Sequence, residues 1–372
     1  MENDNAFIGD ILIENSKIKK IQSSIEELSA EIIDVNGSRV MPGFIDGHSH
    51  IGLIEDGIGF AGNDTDEVSC PVTPELSPLY GINIFDRSFQ EALEAGVTTV
   101  AVSPGQSNVI GGQTCIIKTY GKDLNERIVK PLAAINANLG NSPKRSNFGK
   151  VEMPMSRMAE AYLLRKALKE TQYYLKEKKM NGDKMKLSHF NMKYESLGEV
   201  IMKKIPLRIA ARKAEDILTA ISISEEFDIR ILLDYCTEGY LIADEIIKRN
   251  IPVMLGPYIT DTSDDELINM NPYDAALFSN SGILTSLISN HPEVPENLLL
   301  ICVSIAVKEG MKPIEALKAI TINPAKALGI DSTVGSLREG KDADIIVLSG
   351  DPFSIKTDIL LTIINGNIAY KK

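Results

Sequence analysis

Histidine is scarce in this chain. Its 372 residues include four, His48, His50, His189 and His291. A metal centre built on imidazoles therefore has few ligands to draw on, and the placement of these four decides what metal chemistry is open. Cysteine is as rare. Cys70, Cys115, Cys236 and Cys302 lie far apart with no Cys-x-x-Cys pair, which excludes a zinc knuckle or a dithiol redox motif and reads as free thiols in a reducing compartment. No apolar run reaches the roughly 18 residues of a spanning helix, so no membrane partner is expected. The start, MENDNAFIGD, lacks the basic-then-apolar layout of a secretory signal, and the expected location is cytoplasmic. Positive charge is short: 39 Lys and Arg stand against 51 Asp and Glu, a net charge of −12 that disfavours nucleic acid as a partner. No internal repeat, Pro-rich linker or low-complexity tract is visible.

What is present is an ordinary globular composition, 44% apolar and 24% charged. The length suits one large domain plus a small one. Both ends read as short strands. GDILIENSKIKKIQ alternates around a turn at Glu14-Asn15-Ser16, and AEIIDVNGSRVMPGFID continues with a hairpin turn at Asn36-Gly37. The far end holds a buried strand at Ile345 to Leu348 and a turn at Asn365-Gly366. Packing these halves together predicts a composite β-sandwich from residues 1–45 and 335–372.

Residues 46–334 alternate helical and short apolar segments, as in RSFQEALEAG-VTTVAVSPG and AEDILTAISISEEFD-IRILLDYCTEG. Such helix-then-strand units imply a parallel sheet with crossover helices, and nearly 290 residues of them fit a (β/α)8 TIM barrel. An open doubly wound sheet is the runner-up, but no G-x-G-x-x-G follows a first strand. Residues 145–205, lysine-rich and helical in pattern, are expected to be an insertion on the barrel rim with a solvated face. His189 falls there and reads as a surface or packing residue.

The sharpest motif is Pro42-Gly43-Phe44-Ile45-Asp46-Gly47-His48-Ser49-His50. Histidines at i and i+2 of a strand project from one face and can share a metal ion. At the C-terminal end of a first barrel strand they would stand where barrel active sites form. With this motif come ALEAGVTTVAVSPG, NVIGGQ, IKTYGK, LDYCTEGYLIADE, ALKAITINPAKALGI and VGSLREGKDADIIVLSGDP, in that order. Over nearly the whole chain these blocks resemble the metal-dependent amidohydrolase superfamily, in its imidazolonepropionase-like and prolidase-like branch. The resemblance implies a barrel with a terminal sandwich. It implies hydrolysis of C–N bonds in small cyclic amides, ureides or dipeptides, by a water activated on a divalent metal, usually zinc. It makes His48 and His50 metal ligands. Histidines from strands five and six and an aspartate base from strand eight would complete the site. NVIGGQ would form a tight loop near it.

The later positions depart from that pattern. In Pro206-Leu207-Arg208-Ile209-Ala210-Ala211-Arg212 the two histidine positions of strand five hold Ala210 and Arg212. At strand six, Tyr235 and Tyr240 replace histidines. At strand eight, Ser289-Asn290-His291-Pro292 carries Asn290 in place of the aspartate. The block Ile135–Gly140 offers no lysine for a bridging carbamate. Alanine has no donor atom, arginine stays protonated, and asparagine cannot take a proton from water. Tyrosine ligates only as phenolate, against an ordinary pKa of about 10. His291 is expected to make a structural hydrogen bond, and Cys236, beside Tyr235, is a weak candidate for a soft ligand. Arg212 near the mouth could instead hold an anion or carboxylate.

Two expectations follow. One is a metal-dependent hydrolase using His48 and His50 with a degraded, weakly metallated site. The other is a catalytically inactive protein of the same fold that binds a small molecule or serves as an assembly subunit. About nine residues precede GDILIEN, roughly a strand pair fewer than the resemblance implies, leaving a sheet edge that a second copy of the chain could cover.

Overall fold

A computed structural model describes residues 1, 6–146, 153–181, 190–260 and 264–372. His189 lies outside the described residues. Three sheets result. β1 (Asp10–Glu14) and β2 (Lys17–Gln22) form an antiparallel hairpin turning at Asn15 and Ser16, both with positive φ. A four-stranded antiparallel sheet joins the two ends of the chain in the order β14-β13-β12-β3, with β3 Arg39–Pro42, β12 Ile345–Leu348, β13 Ile359–Ile364 and β14 Asn367–Lys371. One apolar cluster ties hairpin and sheet together: Ile18 of β2 packs with Ala343, Ile345, Val347, Leu361 and Ile363. The expected turn at Asn365-Gly366 links β13 to β14. Asn36-Gly37 also turns, but no strand precedes it, so it makes no hairpin.

The third sheet has eight strands in sequence order: β4 (Phe44–Ser49), β5 (Val97–Val102), β6 (Ile110–Lys118), β7 (Ile128–Asn138), β8 (Leu207–Ala211), β9 (Ile231–Tyr235), β10 (Val253–Leu255) and β11 (Thr285–Leu287). It curls into a nearly closed barrel. Between β4 and β11 the seam is held beyond the ends of the regular ladders. His50 N–H donates to the His291 carbonyl at 2.9 Å and Asn290 N–H to the His48 carbonyl at 3.1 Å. Below them the Asp46 carboxylate accepts from the Ser289 N–H and hydroxyl.

One strand departs from the expected parallel barrel. β6 runs antiparallel to both β5 and β7. Only residues 103–109 join β5 to β6, too few for a crossover helix, so the chain must double back. Gly111 and Gly112 of NVIGGQ therefore lie inside β6 and not in a loop.

Side chains alternate cleanly. Ile135, Ala137, Ile209, Ala211 and Leu233 face the surrounding helices, while Ile45, Ala101, Ala210, Leu232, Met254 and Ile288 fill the barrel interior. Gly47 is required by that packing: a Cβ there would meet Met254 Sδ at 2.9 Å. The helices Arg157–Asn181 and Met192–Ile201 occupy part of the predicted insertion. No helix among the described residues is long and apolar enough to cross a membrane.

Candidate functional site

His48 and His50 emerge at the C-terminal end of β4 with ring centroids 5.2 Å apart. Their backbone places both inside the barrel mouth, and both are buried. His48 Nδ1 meets Asp234 Oδ2, on β9, at 2.8 Å; His50 Nδ1 donates to the Ser103 carbonyl at 2.7 Å. Each Nδ1 thus carries the proton, and each Nε2 presents its lone pair to the mouth. Burial, reinforced by the Arg208 guanidinium, pushes the His48 imidazole down to about 3 against the pull of Asp234. Burial also lowers His50. Both rings are neutral at physiological pH.

The residue that organises this floor is Arg208 on β8, fully buried. Its Nε donates to Asp234 Oδ2, the same oxygen that holds His48. Nη1 reaches Ser103 Oγ at 3.3 Å and Nη2 lies 3.3 Å from Met254 Sδ. Burial alone would raise the Asp234 carboxyl, but Arg208 and His48 overcome it and hold Asp234 ionised, below its ordinary range. Asp234 Oδ1 is buried with no hydrogen-bond partner among the described residues.

Above the floor stands Tyr235. A left-handed backbone at this residue, φ 68°, turns its ring over the histidines. Its hydroxyl donates to Asn290 Oδ1 at 2.9 Å, receives Gln106 Nε2 at 2.7 Å and lies 3.4 Å from His48 Nε2. Burial pushes this phenol well above its ordinary range, so it stays protonated. Asn290 gives its Nδ2 to Glu293 at 2.8 Å, which fixes the direction of its amide. The Arg212 guanidinium lies on the Tyr235 ring, 4.0 Å from the centroid.

The six positions singled out in the sequence thus come together: His48, His50, Ala210, Arg212, Tyr235 and Asn290 all line the barrel end. Tyr240 lies on the short turn Gly239–Ile242, and no hydrogen bond joins it to the site. Cys236 points into the helix-facing core, and its thiol is pushed up by burial. The expected hydrogen bond of His291 is not made: both its ring nitrogens are buried without partners among the described residues, and burial lowers the ring to about 4. In the block that offers no carbamate lysine, Asn136 and Asn138 face inward from β7. Arg208, Asp234, Ser103 and Gln106 were not anticipated as site residues. The clue was a charged residue inside LRIAA, two positions before Ala210, which must point into the barrel and needs a partner there.

A divalent metal held for hydrolysis needs about three protein donors. The lone pairs of His48 and His50 suit such a metal, but among the described residues no third anionic or imidazole side chain joins them; Asp66, whose charge His50 feels, accepts from the Thr65 hydroxyl and the Ser107 N–H. Tyr235 and Asn290 are neutral, and Arg208 puts a permanent positive charge beside His48. No group of three or more His, Cys, Asp or Glu side chains able to hold a metal occurs among the described residues. The donor set does not fit a hydrolytic metal centre.

Comparison with known proteins agrees with the fold. A family model described as the Amidohydrolase family matches residues 260–369. The crystal structure of an amidohydrolase from Thermotoga maritima MSB8 superposes with a TM-score of 0.94 at 36% identity, covering 97% of this chain and 95% of that one. An imidazolonepropionase of Thermoplasma acidophilum is 26% identical over an alignment of 414 positions, gaps included, which covers 97% of this chain and 89% of that protein. Amidohydrolase tasK of Hapsidospora irregularis is 24% identical over an alignment of 378 positions, gaps included, which covers 94% of this chain but only 38% of that longer relative. The chain belongs to the amidohydrolase family, a member of its metal-dependent superfamily with the barrel and terminal strands that define it.

Proposed function

We propose that this chain is a small-molecule-binding member of the amidohydrolase family that does not run the family's metal-hydroxide hydrolysis. The single observation that carries this reading is Arg208. A guanidinium fully buried beside His48, and bonded to the carboxylate that orients it, supplies the positive charge that a metal ion would otherwise bring. A divalent cation at the two Nε2 atoms would sit next to that charge, whose anionic partner, Asp234, is already shared with His48. The general base is also lacking, because Asn290 cannot accept a proton from water. What remains is a rigid polar mouth able to hold and orient a ligand.

A second reading keeps the hydrolase. It is favoured by the retained Nδ1 bonds of His48 and His50, which hold both rings in the tautomer a metal requires. Elemental analysis of protein purified without chelator separates the two. The proposal expects far less than one metal per chain and no uptake after zinc is added. About one metal per chain, with turnover of cyclic amides or dipeptides that is lost in His50→Ala, would establish the hydrolase instead.

A further inference from the structure

We propose that Arg212 anchors a subsite for the carboxylate of a small monocarboxylic acid at the barrel mouth; this rests on the metal-free reading in that Arg212 stands at a position the family resemblance gives to a ligand histidine. The two inward arginines of this segment differ in one respect. Every nitrogen of Arg208 is engaged. Arg212 makes no side-chain hydrogen bond among the described residues, although its side chain is only 11% exposed. Its Nη1 is buried with no partner. Its nearest carboxylate, Glu293 Oε2, lies 3.8 Å from Nη2, beyond hydrogen-bond range, and that oxygen already accepts from Asn290. A buried guanidinium donor left unpaired is costly, and the structure keeps it only against a rigid support.

That support is the Tyr235 ring. Stacking occupies the face of the guanidinium and leaves its N–H edge free in the plane. Tyr235 cannot swing away, because Gln106 and Asn290 hold its hydroxyl. A preorganised planar edge with two parallel N–H groups matches the two oxygens of a carboxylate. Ala210, two residues before Arg212 on the same strand face, has only a methyl group where the resemblance expects an imidazole.

The surroundings narrow the class further. Glu293 and Glu266 feel the Arg212 charge, and their carboxylates disfavour a dianion such as phosphate while tolerating a single charge. Asn138 stands opposite Ala210 in the β7–β8 register and buries an amide oxygen with no partner, as does Asn136. Both Nδ2 groups are spent on backbone carbonyls. Unpaired acceptors on β7 and a buried Arg212 nitrogen without a hydrogen-bond partner suit a ligand that carries both a carboxylate and an N–H group.

The test is calorimetric titration of the full chain with N-acetylglycine, its neutral counterpart N-acetylglycinamide, and inorganic phosphate. The expected result is binding of the acid in preference to both others, weakened at least about ten-fold in Arg212→Met. Arg212→Lys should lose part of that affinity, and exposed Arg87→Gln should lose none. If Arg212→Met does not fold, the Arg212→Lys comparison reads the same quantity. The proposal is overturned if acid and amide bind alike, if phosphate binds more tightly, if both Arg212 variants match the wild type, or if the acid shows no binding at about 20 mM. Chelator treatment of the same samples separates this from the metal question. Acid binding that survives chelation and depends on Arg212 supports the subsite whatever the metal content; acid binding abolished by chelation assigns the anion to a metal and overturns it.

Discussion

At the scale of single residues, the site turns on one oxygen. Asp234 Oδ2 takes both His48 Nδ1 and Arg208 Nε, so histidine orientation and charge balance are set by the same atom. Removing one partner of a buried ion pair leaves the other charge without solvent or counter-ion, which typically costs about 3–5 kcal/mol. Arg208→Met should therefore lower unfolding stability by about that amount in urea titrations. Adding Asp234→Asn should recover part of the loss, since the stranded charge goes while an amide oxygen can still accept from His48. A double variant no more stable than Arg208→Met would show that Arg208 matters for its packing and not for its charge. Most of this site could be read from sequence because it lies on motif positions: His48, His50, Ala210, Arg212, Tyr235 and Asn290. Arg208 could not be read the same way. It occupies a position where the family motif states no requirement, and its partner is 26 residues away on the next strand.

At the scale of elements, the legible and illegible parts follow from what decides them locally. Helix-then-strand units were visible because amphipathic runs end at true stops, such as Gly96 with φ 78° after the helix Arg87–Glu94. The reversal of β6 was hidden because its sequence is as apolar as a parallel strand; the short 103–109 connection carried the signal. That reversal has an energetic consequence. Lys118, at the end of β6, is buried and pairs with Asp344 and, at 3.0 Å, with Asp342, on the segment leading into β12. It thereby joins the barrel to the terminal sheet. Burial raises the Asp344 carboxyl, and Lys118 opposes that rise. Lys118→Met should destabilise by about 3–5 kcal/mol near pH 8. Asp344 would then have a still higher folded pKa, so the native state would bind a proton over a wider range and the deficit should shrink as pH falls toward 5. Equal deficits at pH 5 and pH 8 in chemical denaturation would refute this account.

Over the whole molecule, buried titratable groups set a pH response that the net charge of −12 does not disclose. Two sets oppose each other. Burial pushes Asp274 and Glu160 up to about 7 and Asp46 to about 6. These raised carboxyls bind protons more tightly when folded. Their contribution is full below the unfolded carboxylate range near 4 and is lost as pH rises toward 7. Burial lowers His48 to about 3 and His291 to about 4, so their contribution is full above about 6.5 and is lost as pH falls toward those values. Between about pH 4 and 6.5 the two trends offset, and a broad stability plateau should result. Above 6.5 the histidines no longer change, and the carboxyls alone make stability decline. Asp274 offers a clean probe of this, since it lies in the helix Tyr273–Asn280 and accepts a hydrogen bond from the Tyr258 hydroxyl, not from a residue of the candidate site. Asp274→Asn keeps an acceptor for Tyr258 but cannot ionise. Relative to wild type, the variant should gain about 1.4 kcal/mol for each pH unit between roughly 4 and 7, so that it compares better at pH 8 than at pH 5. Urea unfolding of both proteins at the two pH values measures this directly. A difference that does not change with pH would mean that Asp274 ionises in the folded protein as freely as in the unfolded chain, and that the decline above pH 6.5 has another source.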